Sequence, residues 1–423
     1  MYKPNKPEII VRTSRHISKP IPTLLSVHAR EKGFIHFGCW NRFDVDSGFQ
    51  KFMPKLNKFI DDHKPTTDFV LVAGDNYYPE KTKDKEKDKT KEKDKDKTKD
   101  KDKEKDKTKE KDKGSKKKII HADLLKSGFD SLPTNVDVHM ILGNHDVETG
   151  DQMFVPSDNS QNKGLDQAKS CLIAELERSH INNKQTLNIY KTFMWTADTA
   201  IVMFDTTIYD LLKPDTNTES VECYRPFLNG ITANEISDNE ITAKEIADEQ
   251  ENHILLFLNQ NKSKIKHVIL VGHYPIVSVK GKIDESTGKT KNKTECCLFS
   301  GFFEKIHRTC RYNNGYPEYY YLCADVHMYQ LGTVNLEFPG KTNSKSEKEP
   351  IHPMTIEQYV VGTGGADLDD LPDKSKPIEC IDKTEIPITY SIHEAKKANG
   401  FLHCRIINGR PVFEFIVSTE PSY

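Results

Sequence analysis

The chain has 423 residues, enough for one large α/β domain or two ordinary ones. Its formal net charge is −2, so charge alone gives no reason to expect a nucleic-acid groove. No apolar run approaches the roughly 18 residues that span a membrane, and the first 20 residues lack the apolar core of a signal peptide. We therefore expect an intracellular protein that does not bind membranes, with its nine irregularly spaced cysteines reduced.

Apolar β-rich runs and helical patterns alternate along the chain. In chain order, the predicted strands are residues 33–37, 68–73, 137–142, 199–204, 266–271, 318–323 and 357–361. The predicted helices are residues 47–62, 121–130, 165–179 and 243–260, and a hairpin with an Asn-Gly turn follows over 401–418. Because near-continuous Val, Ile and Leu runs suit strands buried on both faces, the alternation predicts a βαβ architecture.

Residues 81–118 interrupt this pattern with 20 Lys and 12 acidic residues. The segment thus carries +8, and the remainder of the chain carries −10 to give the total of −2. From 81 to 113, Lys occupies every odd position, so a helix would place like charges at i and i+4. No apolar residue favours ordering, and we predict a disordered insertion within one domain.

Polar side chains follow nearly every predicted strand. The motifs are GCWNRFD, GDNYY, GNHD, DTT, GHYP, ADVHMY and GTGG. Loops at the carboxyl ends of the strands converge on one rim of an α/β sheet, where sites form. Asp, Asn, Tyr and His together suit hard or borderline ions such as iron, manganese and zinc. Two such ions can share a bridging carboxylate and stabilise a phosphoryl group during in-line displacement.

The ordered set GDNYY, GNHD, VGHYPIVS, ADVHMY and GTGG resembles the calcineurin-like metallophosphoesterases, and GDNYY with GHYPIVS resembles their purple, or tartrate-resistant, acid phosphatase branch. The resemblance implies an α/β fold, a four-layer α-β-β-α sandwich with mixed sheets. The metallophosphoesterase domain would cover 33–80 and 119–418, with an N-terminal extension over 1–32, the insertion over 81–118 and a tail over 419–423.

The resemblance also implies a two-metal site, with iron paired with zinc, manganese or a second iron. Asp75 would bridge both ions, Tyr78 and His327 would bind the first, and Asn144 and His273 would bind the second. His145 would face the substrate and protonate the leaving oxygen, and Asp146 would orient the ring of His145.

Two positions depart from the family pattern. Cys39 stands where the family has an Asp that binds the first metal; it is either a thiolate ligand or a neutral thiol that leaves the metal one ligand short. Asp44 and Asp46 are nearby substitutes. Asp325 replaces a His, and its carboxylate can still bind the second metal. A further His that tartrate-resistant members carry after GHYP is absent, and Lys280 and Lys282 stand there instead.

These residues predict a phosphoesterase that hydrolyses phosphomonoesters by attack of metal-bound hydroxide, with a phosphorylated small molecule or phosphoprotein as substrate. One alternative is a phosphodiesterase or protein Ser/Thr phosphatase built on the same core. Another is an attenuated homologue that binds phosphorylated ligands without turnover, because of Cys39. The sequence leaves the oligomeric state open.

Overall fold

The computed structural model describes residues 31–41, 48–76, 128–147, 185–212, 224, 242–283, 286, 290–313, 315–339, 341–342, 348–349, 352–382 and 384–418. The predicted insertion over 81–118 and the predicted helix over 165–179 lie outside these residues, as do the predicted ligand Tyr78 and the two substitutes for Cys39, Asp44 and Asp46. No helix in the described part of the chain is both long enough and apolar enough to cross a membrane.

Strands dominate the described residues. In chain order they are β1 (Gly33–Phe37), β2 (Thr67–Ala73), β3 (Asp137–Ile141), β4 (Gln185–Leu187), β5 (Tyr190–Met194), β6 (Thr199–Phe204), β7 (His267–Val271), β8 (Val277–Ile283), β9 (Thr290–Cys296), β10 (Glu318–Cys323), β11 (Tyr329–Leu336), β12 (Lys341–Thr342), β13 (Lys348–Glu349), β14 (Met354–Val361), β15 (Ile378–Ile381), β16 (Pro387–Lys396), β17 (Gly400–Ile407) and β18 (Arg410–Val417). The helices are α1 (Gly48–Asp62), α2 (Asn144–Val147), α3 (Ala243–Asn261) and α4 (Ser300–Cys310), with a 3₁₀ helix over Thr207–Leu212.

Two mixed sheets contain most of these strands. The smaller sheet has the order β18-β17-β1-β2-β3-β4, in which β1, β2 and β3 run parallel. The larger sheet has the order β15-β16-β11-β14-β10-β7-β6-β5, in which β6, β7, β10 and β14 run parallel. Strands β8 and β9 form a separate hairpin. The mixed α/β composition predicted from the sequence is confirmed.

Strands β6, β7 and β10 of the larger sheet are buried on both faces, as their apolar runs predict. In β7, Val268 and Leu270 belong to the core shared with helices α3 and α4, whereas Ile269 and Val271 belong to the core shared with the smaller sheet. The rings of Tyr329 in β11 and Phe415 in β18 stack across the two sheets, with centroids 4.2 Å apart. Helix α1 covers the outer face of the smaller sheet, so the layer order is α-β-β-α.

The sequence pattern explains the two helices that cover the sheets. Helix α1 buries five apolar residues at helical spacing, namely Phe49, Phe52, Met53, Leu56 and Ile60. Helix α3 begins at a capping box, in which the Thr242 hydroxyl accepts from the Glu245 N–H and the Glu245 carboxylate accepts from the Thr242 N–H. The predicted helix over 243–260 is therefore confirmed almost to the residue.

The expectation that every cysteine is reduced is wrong for two of them. Cys296 at the end of β9 and Cys380 in β15 form a disulfide, with Cα atoms 6.5 Å apart. The sequence separation of 84 concealed the pairing, because only the fold brings the hairpin beside the edge of the larger sheet. Among the described residues, five further cysteines are buried and form no disulfide: Cys39, Cys297, Cys310, Cys323 and Cys404.

Candidate metal centre

The carboxyl ends of the parallel strands from both sheets meet at one rim. The Gly38 N–H after β1 donates to the Val361 carbonyl at the end of β14, at 3.0 Å. The Cys39 N–H donates to the Gly74 carbonyl after β2, at 3.1 Å. The loops that follow β1, β2, β3, β7 and β10 therefore converge, and all the predicted ligands in the described residues lie on them.

The first group of predicted ligands consists of Cys39, Asp75 and His327, whose ligand atoms lie within 4.8 Å of one another. The Cys39 Sγ is 3.7 Å from Asp75 Oδ2. The His327 Nδ1 forms a hydrogen bond with the Asp367 carbonyl at 2.8 Å. The other ring nitrogen, Nε2, is therefore the atom that would bind a metal. Because these residues come from β1, β2 and β10, both sheets contribute to this group.

The second group lies on the other side of Asp75. His273 Nε2 is 3.3 Å from Asp75 Oδ1 and 3.0 Å from Asn144 Oδ1. The opposite ring nitrogen, His273 Nδ1, lies 2.6 Å from the Ala73 carbonyl, so Nε2 is the ring nitrogen that faces the other predicted ligands. The hydroxyl of Thr206 accepts from the N–H groups of His273 and Tyr274, at 3.1 and 2.9 Å, and fixes this loop.

Asp75 thus turns its two oxygens toward two different groups, Oδ2 toward Cys39 and Oδ1 toward His273. A tetrahedral ion with bonds of about 2.0–2.3 Å separates its ligand atoms by about 3.3–3.8 Å. The distances of 3.7 and 3.3 Å match that separation. The donor set accordingly suits one ion at Cys39, Asp75 and His327, and Asp75 Oδ1 would be shared with a second ion at His273.

The backbone at the site is unusual, because Cys39, Asp75 and Asp325 have φ of 53°, 52° and 57°. Left-handed φ is tolerated by Asp and disfavoured for most other side chains, Cys among them. Such conformations cost about 1–3 kcal/mol each and cluster at functional sites. Gly362 and Cys39 also approach closely, since a Cβ at position 362 would lie 3.3 Å from the Cys39 Sγ.

The comparisons with known proteins place this arrangement in a family. The sequence profile of the calcineurin-like phosphoesterases matches residues 33–329, which is most of the chain. The chain belongs to the calcineurin-like phosphoesterase family. The predicted resemblance is therefore confirmed at the level of the family.

Two solved structures are similar to this phosphoesterase. GAP50, described as the anchor in the inner membrane complex of Plasmodium, is 12% identical, with 93% of this chain and 86% of that chain covered and a TM-score of 0.39. TT1561 of Thermus thermophilus is 10% identical, with 87% and 99% covered and a TM-score of 0.31. Among curated proteins, none matches the sequence. The family assignment rests on the profile match.

Membership implies metal-dependent hydrolysis of phosphoesters in general, with two metal ions. The electrostatics of this phosphoesterase agree with a need for cations. Burial raises the pKa of Asp325, and Asp75 raises it further, while His273, Lys280 and His327 oppose the shift. Carboxylates that repel one another in a buried site are stabilised by bound cations.

Asp146 is buried and supports the loops of the site. Its carboxylate accepts from the Gly143 N–H at 2.8 Å and from the backbone and side-chain nitrogens of Asn76 at 2.9 and 3.0 Å. Burial, followed by repulsion from Asp75, raises the pKa of Asp146 to about 7. These contacts hold the loop after β2 against the loop after β3; the predicted orientation of the His145 ring stays a prediction.

His145 is half-buried in α2, beside the Asp75 carboxylate. Its backbone N–H donates to Asp75 Oδ1 at 3.1 Å, so the residue is fixed next to the oxygen that faces His273. The structure therefore brings Cys39, Asp75, Asn144, His145, His273 and His327 to one rim, with Asp325 in their electrostatic neighbourhood.

Three supporting residues were missed by the sequence argument. The Asn41 side chain donates to the Asn76 carbonyl at 2.8 Å, and the Asn76 amide oxygen accepts from the Trp40 indole at 3.1 Å. Asp369 accepts from the His327 N–H at 2.8 Å. The Asn residues lie inside motifs already quoted, GCWN and GDN, whereas Asp369 is marked only by the acidic stretch after GTGG.

Proposed function

We propose that this phosphoesterase hydrolyses phosphomonoesters at a two-metal site, as a member of the purple acid phosphatase branch. The observation that carries the proposal is the placement of Asp75, whose two oxygens face Cys39 on one side and His273 on the other. Two metal ions held at such a site would lower the pKa of a bound water and stabilise negative charge on the phosphoryl oxygens.

The roles of the residues follow the two groups. Cys39, Asp75 and His327 hold the first ion, with Tyr78 as a further ligand. Asp75, Asn144, His273 and Asp325 hold the second. Iron at the first position, with zinc, manganese or iron at the second, suits this mixture of imidazole, carboxylate and thiolate.

His145 serves the leaving group. Its backbone bond to Asp75, which holds it beside the second group, supports this role. As a general acid, the protonated imidazole would donate its proton to the leaving oxygen.

The test combines metal content, a visible spectrum and a substrate panel on the purified full chain. We expect two ions per chain, a broad visible absorption from tyrosinate on ferric iron, and hydrolysis of a phosphomonoester in preference to a diester or a phosphopeptide. Asp75→Asn should lose metal and more than about 100-fold of the activity. Asp198→Asn, at the opposite end of β6, is the matched control and should retain both.

A second candidate function is that of an attenuated homologue that binds phosphorylated ligands without turnover. The observation that favours it is Cys39, a buried residue with left-handed φ at a position where the family has Asp. One bound ion or none, with phosphate binding but no hydrolysis of any ester in the panel, would replace the first proposal by this one.

A further inference from the structure

Two lysines, Lys280 and Lys282, follow the His273 loop in the sequence, and the structure gives them different environments. Both lie in β8, two residues apart. Lys282 is exposed, whereas the side chain of Lys280 is only 31% exposed and its Nζ lies 3.4 Å from Asp369 Oδ2. Lys280 is therefore the lysine that the fold directs toward the metal centre.

The position of Lys280 is fixed relative to His327. The Gly281 N–H donates to the Asp370 carbonyl at 2.8 Å, which joins β8 to the loop over 367–371. Asp369 in that loop exchanges two hydrogen bonds with His327: its carboxylate accepts from the His327 N–H at 2.8 Å, and its N–H donates to the His327 carbonyl at 2.9 Å. One short loop thus holds both the ammonium and a predicted metal ligand.

The charged groups that act on Lys280 lie at the candidate metal centre. Burial favours the neutral amine, but Asp325, Asp369 and Cys39 outweigh burial and raise the pKa of Lys280. The lysine therefore stays an ammonium, which has no lone pair with which to bind a metal. It lies within electrostatic reach of Asp325 and Cys39, residues of both predicted ligand groups.

An ammonium beside two cations is repelled unless an anion lies between them. At rest, Asp369 balances the charge of Lys280. A phosphomonoester dianion brings two negative charges and three terminal oxygens, of which the ions contact some and leave others for a hydrogen-bond donor. A diester brings one negative charge and two such oxygens, so it gains less from the same ammonium.

We propose that Lys280 is the substrate-anchoring residue that makes this site prefer phosphomonoester dianions to diesters. Its ammonium donates to a terminal phosphate oxygen while Asp369 holds it at the edge of the ligand groups. The inference rests on the proposed function, since it requires a phosphate held between the ions.

The test measures inorganic phosphate binding by calorimetry on the metal-loaded full chain, together with the kcat/KM ratio for a matched monoester and diester. Lys280→Met should weaken phosphate binding about tenfold or more, because a charge-assisted hydrogen bond is lost. It should reduce the monoester-to-diester ratio by a similar factor, with metal content unchanged. Lys280→Arg should recover most of the affinity.

Lys282→Met is the control, because it removes the same charge from the same strand. It should leave the affinity and the ratio at the wild-type values. Phosphate binding that survives in Lys280→Met, with monoester hydrolysis intact, would overturn the role of Lys280 and leave the proposed function standing. A metal-loaded wild type that neither binds phosphate nor hydrolyses an ester would overturn both.

Discussion

Cys39 is the residue at which this chain departs most from the family pattern. It has left-handed φ, which Asp adopts more readily than Cys, and its sulfur lies 3.7 Å from the bridging carboxylate. A thiolate is a softer ligand than the carboxylate that it replaces and favours zinc, cobalt or iron over manganese. If Cys39 binds metal as a thiolate, we therefore expect a metal preference different from that of an Asp at this position.

Cobalt substitution checks whether Cys39 binds metal. We expect the Co²⁺-loaded protein to show a near-ultraviolet charge-transfer band, because a thiolate donates electron density to the ion. Cys39→Asp should remove the band and keep two ions per chain, since the carboxylate fits the backbone and the site. Cys404→Ala, which removes another buried free thiol, should keep the band. A band that persists in Cys39→Asp would exclude Cys39 as a ligand.

His36 shows how a buried residue couples stability to pH. It lies between the two sheets, with Nε2 3.4 Å from the Cys323 carbonyl, and burial lowers its pKa to about 4. The unfolded chain binds this proton near pH 6.5, so the free energy of unfolding falls as the pH drops from 6.5 toward 4. At pH 5 the loss from this residue is about 2 kcal/mol.

Urea unfolding at pH 7 and pH 5 measures that loss. His36→Leu should shrink the difference between the two pH values by about 2 kcal/mol, whatever its effect on overall stability. His393→Leu, at an exposed position, serves as the control. An unchanged difference in His36→Leu would show that the proton uptake lies elsewhere.

The β8–β9 hairpin carries Lys280 and packs closely against the loop that carries Asp369. A Cβ at Gly281 would lie 2.1 Å from the Leu371 carbonyl oxygen, closer than any real contact. Only glycine lets β8 approach the loop that carries Asp369. The hairpin therefore depends on this one residue to place Lys280.

Gly281→Ala should push β8 away from that loop and displace Lys280. We expect weaker phosphate binding, by several-fold, with metal content retained, as measured by calorimetry and metal analysis. Gly301→Ala in α4 is the control, because its nearest neighbour would lie 3.8 Å from the new Cβ. Equal phosphate affinity in the two variants would show that the close approach does not position Lys280.

The disulfide between Cys296 and Cys380 holds the far end of the same hairpin to β15. A bridge across 84 residues restricts the unfolded chain and contributes about 2–4 kcal/mol to stability. Cys296→Ala should lower the free energy of unfolding by that amount under oxidising conditions and become insensitive to dithiothreitol. Cys297→Ala should stay sensitive to it. A wild type whose unfolding is unaffected by dithiothreitol would contradict the bridge.

Elements with uniform apolar runs could be predicted from the sequence, and those with mixed composition could not. Strands β6, β7 and β10 are buried on both faces and stand out in the sequence. Strand β11 alternates buried and half-buried residues and contains Gly332, which conceals it. The pairing of Lys280 with Asp369 was equally hidden, because it depends on the register of a hairpin against a distant loop.

At the scale of the whole molecule, we predicted that motifs far apart in the sequence lie close together. That prediction followed from one rule, that parallel strands end at a common rim of the sheet. The rule brought Asp75, Asn144, His273 and His327 together without any knowledge of the strand order. It could not give the order itself. The sequence offered no sign that β17 would lie between β18 and β1, since a hairpin shows which strands pair with each other and not where the pair docks.

That docking has a consequence for biosynthesis. Strand β1, which leads directly to Cys39, is held on one side by β2 and on the other by β17. The Gly400 N–H, at the start of β17, also donates to the Thr363 carbonyl beside the Cys39 loop, at 3.1 Å. Strand β1, the first strand of the described residues, therefore completes its pairing only after the residues of β17 have emerged from the ribosome.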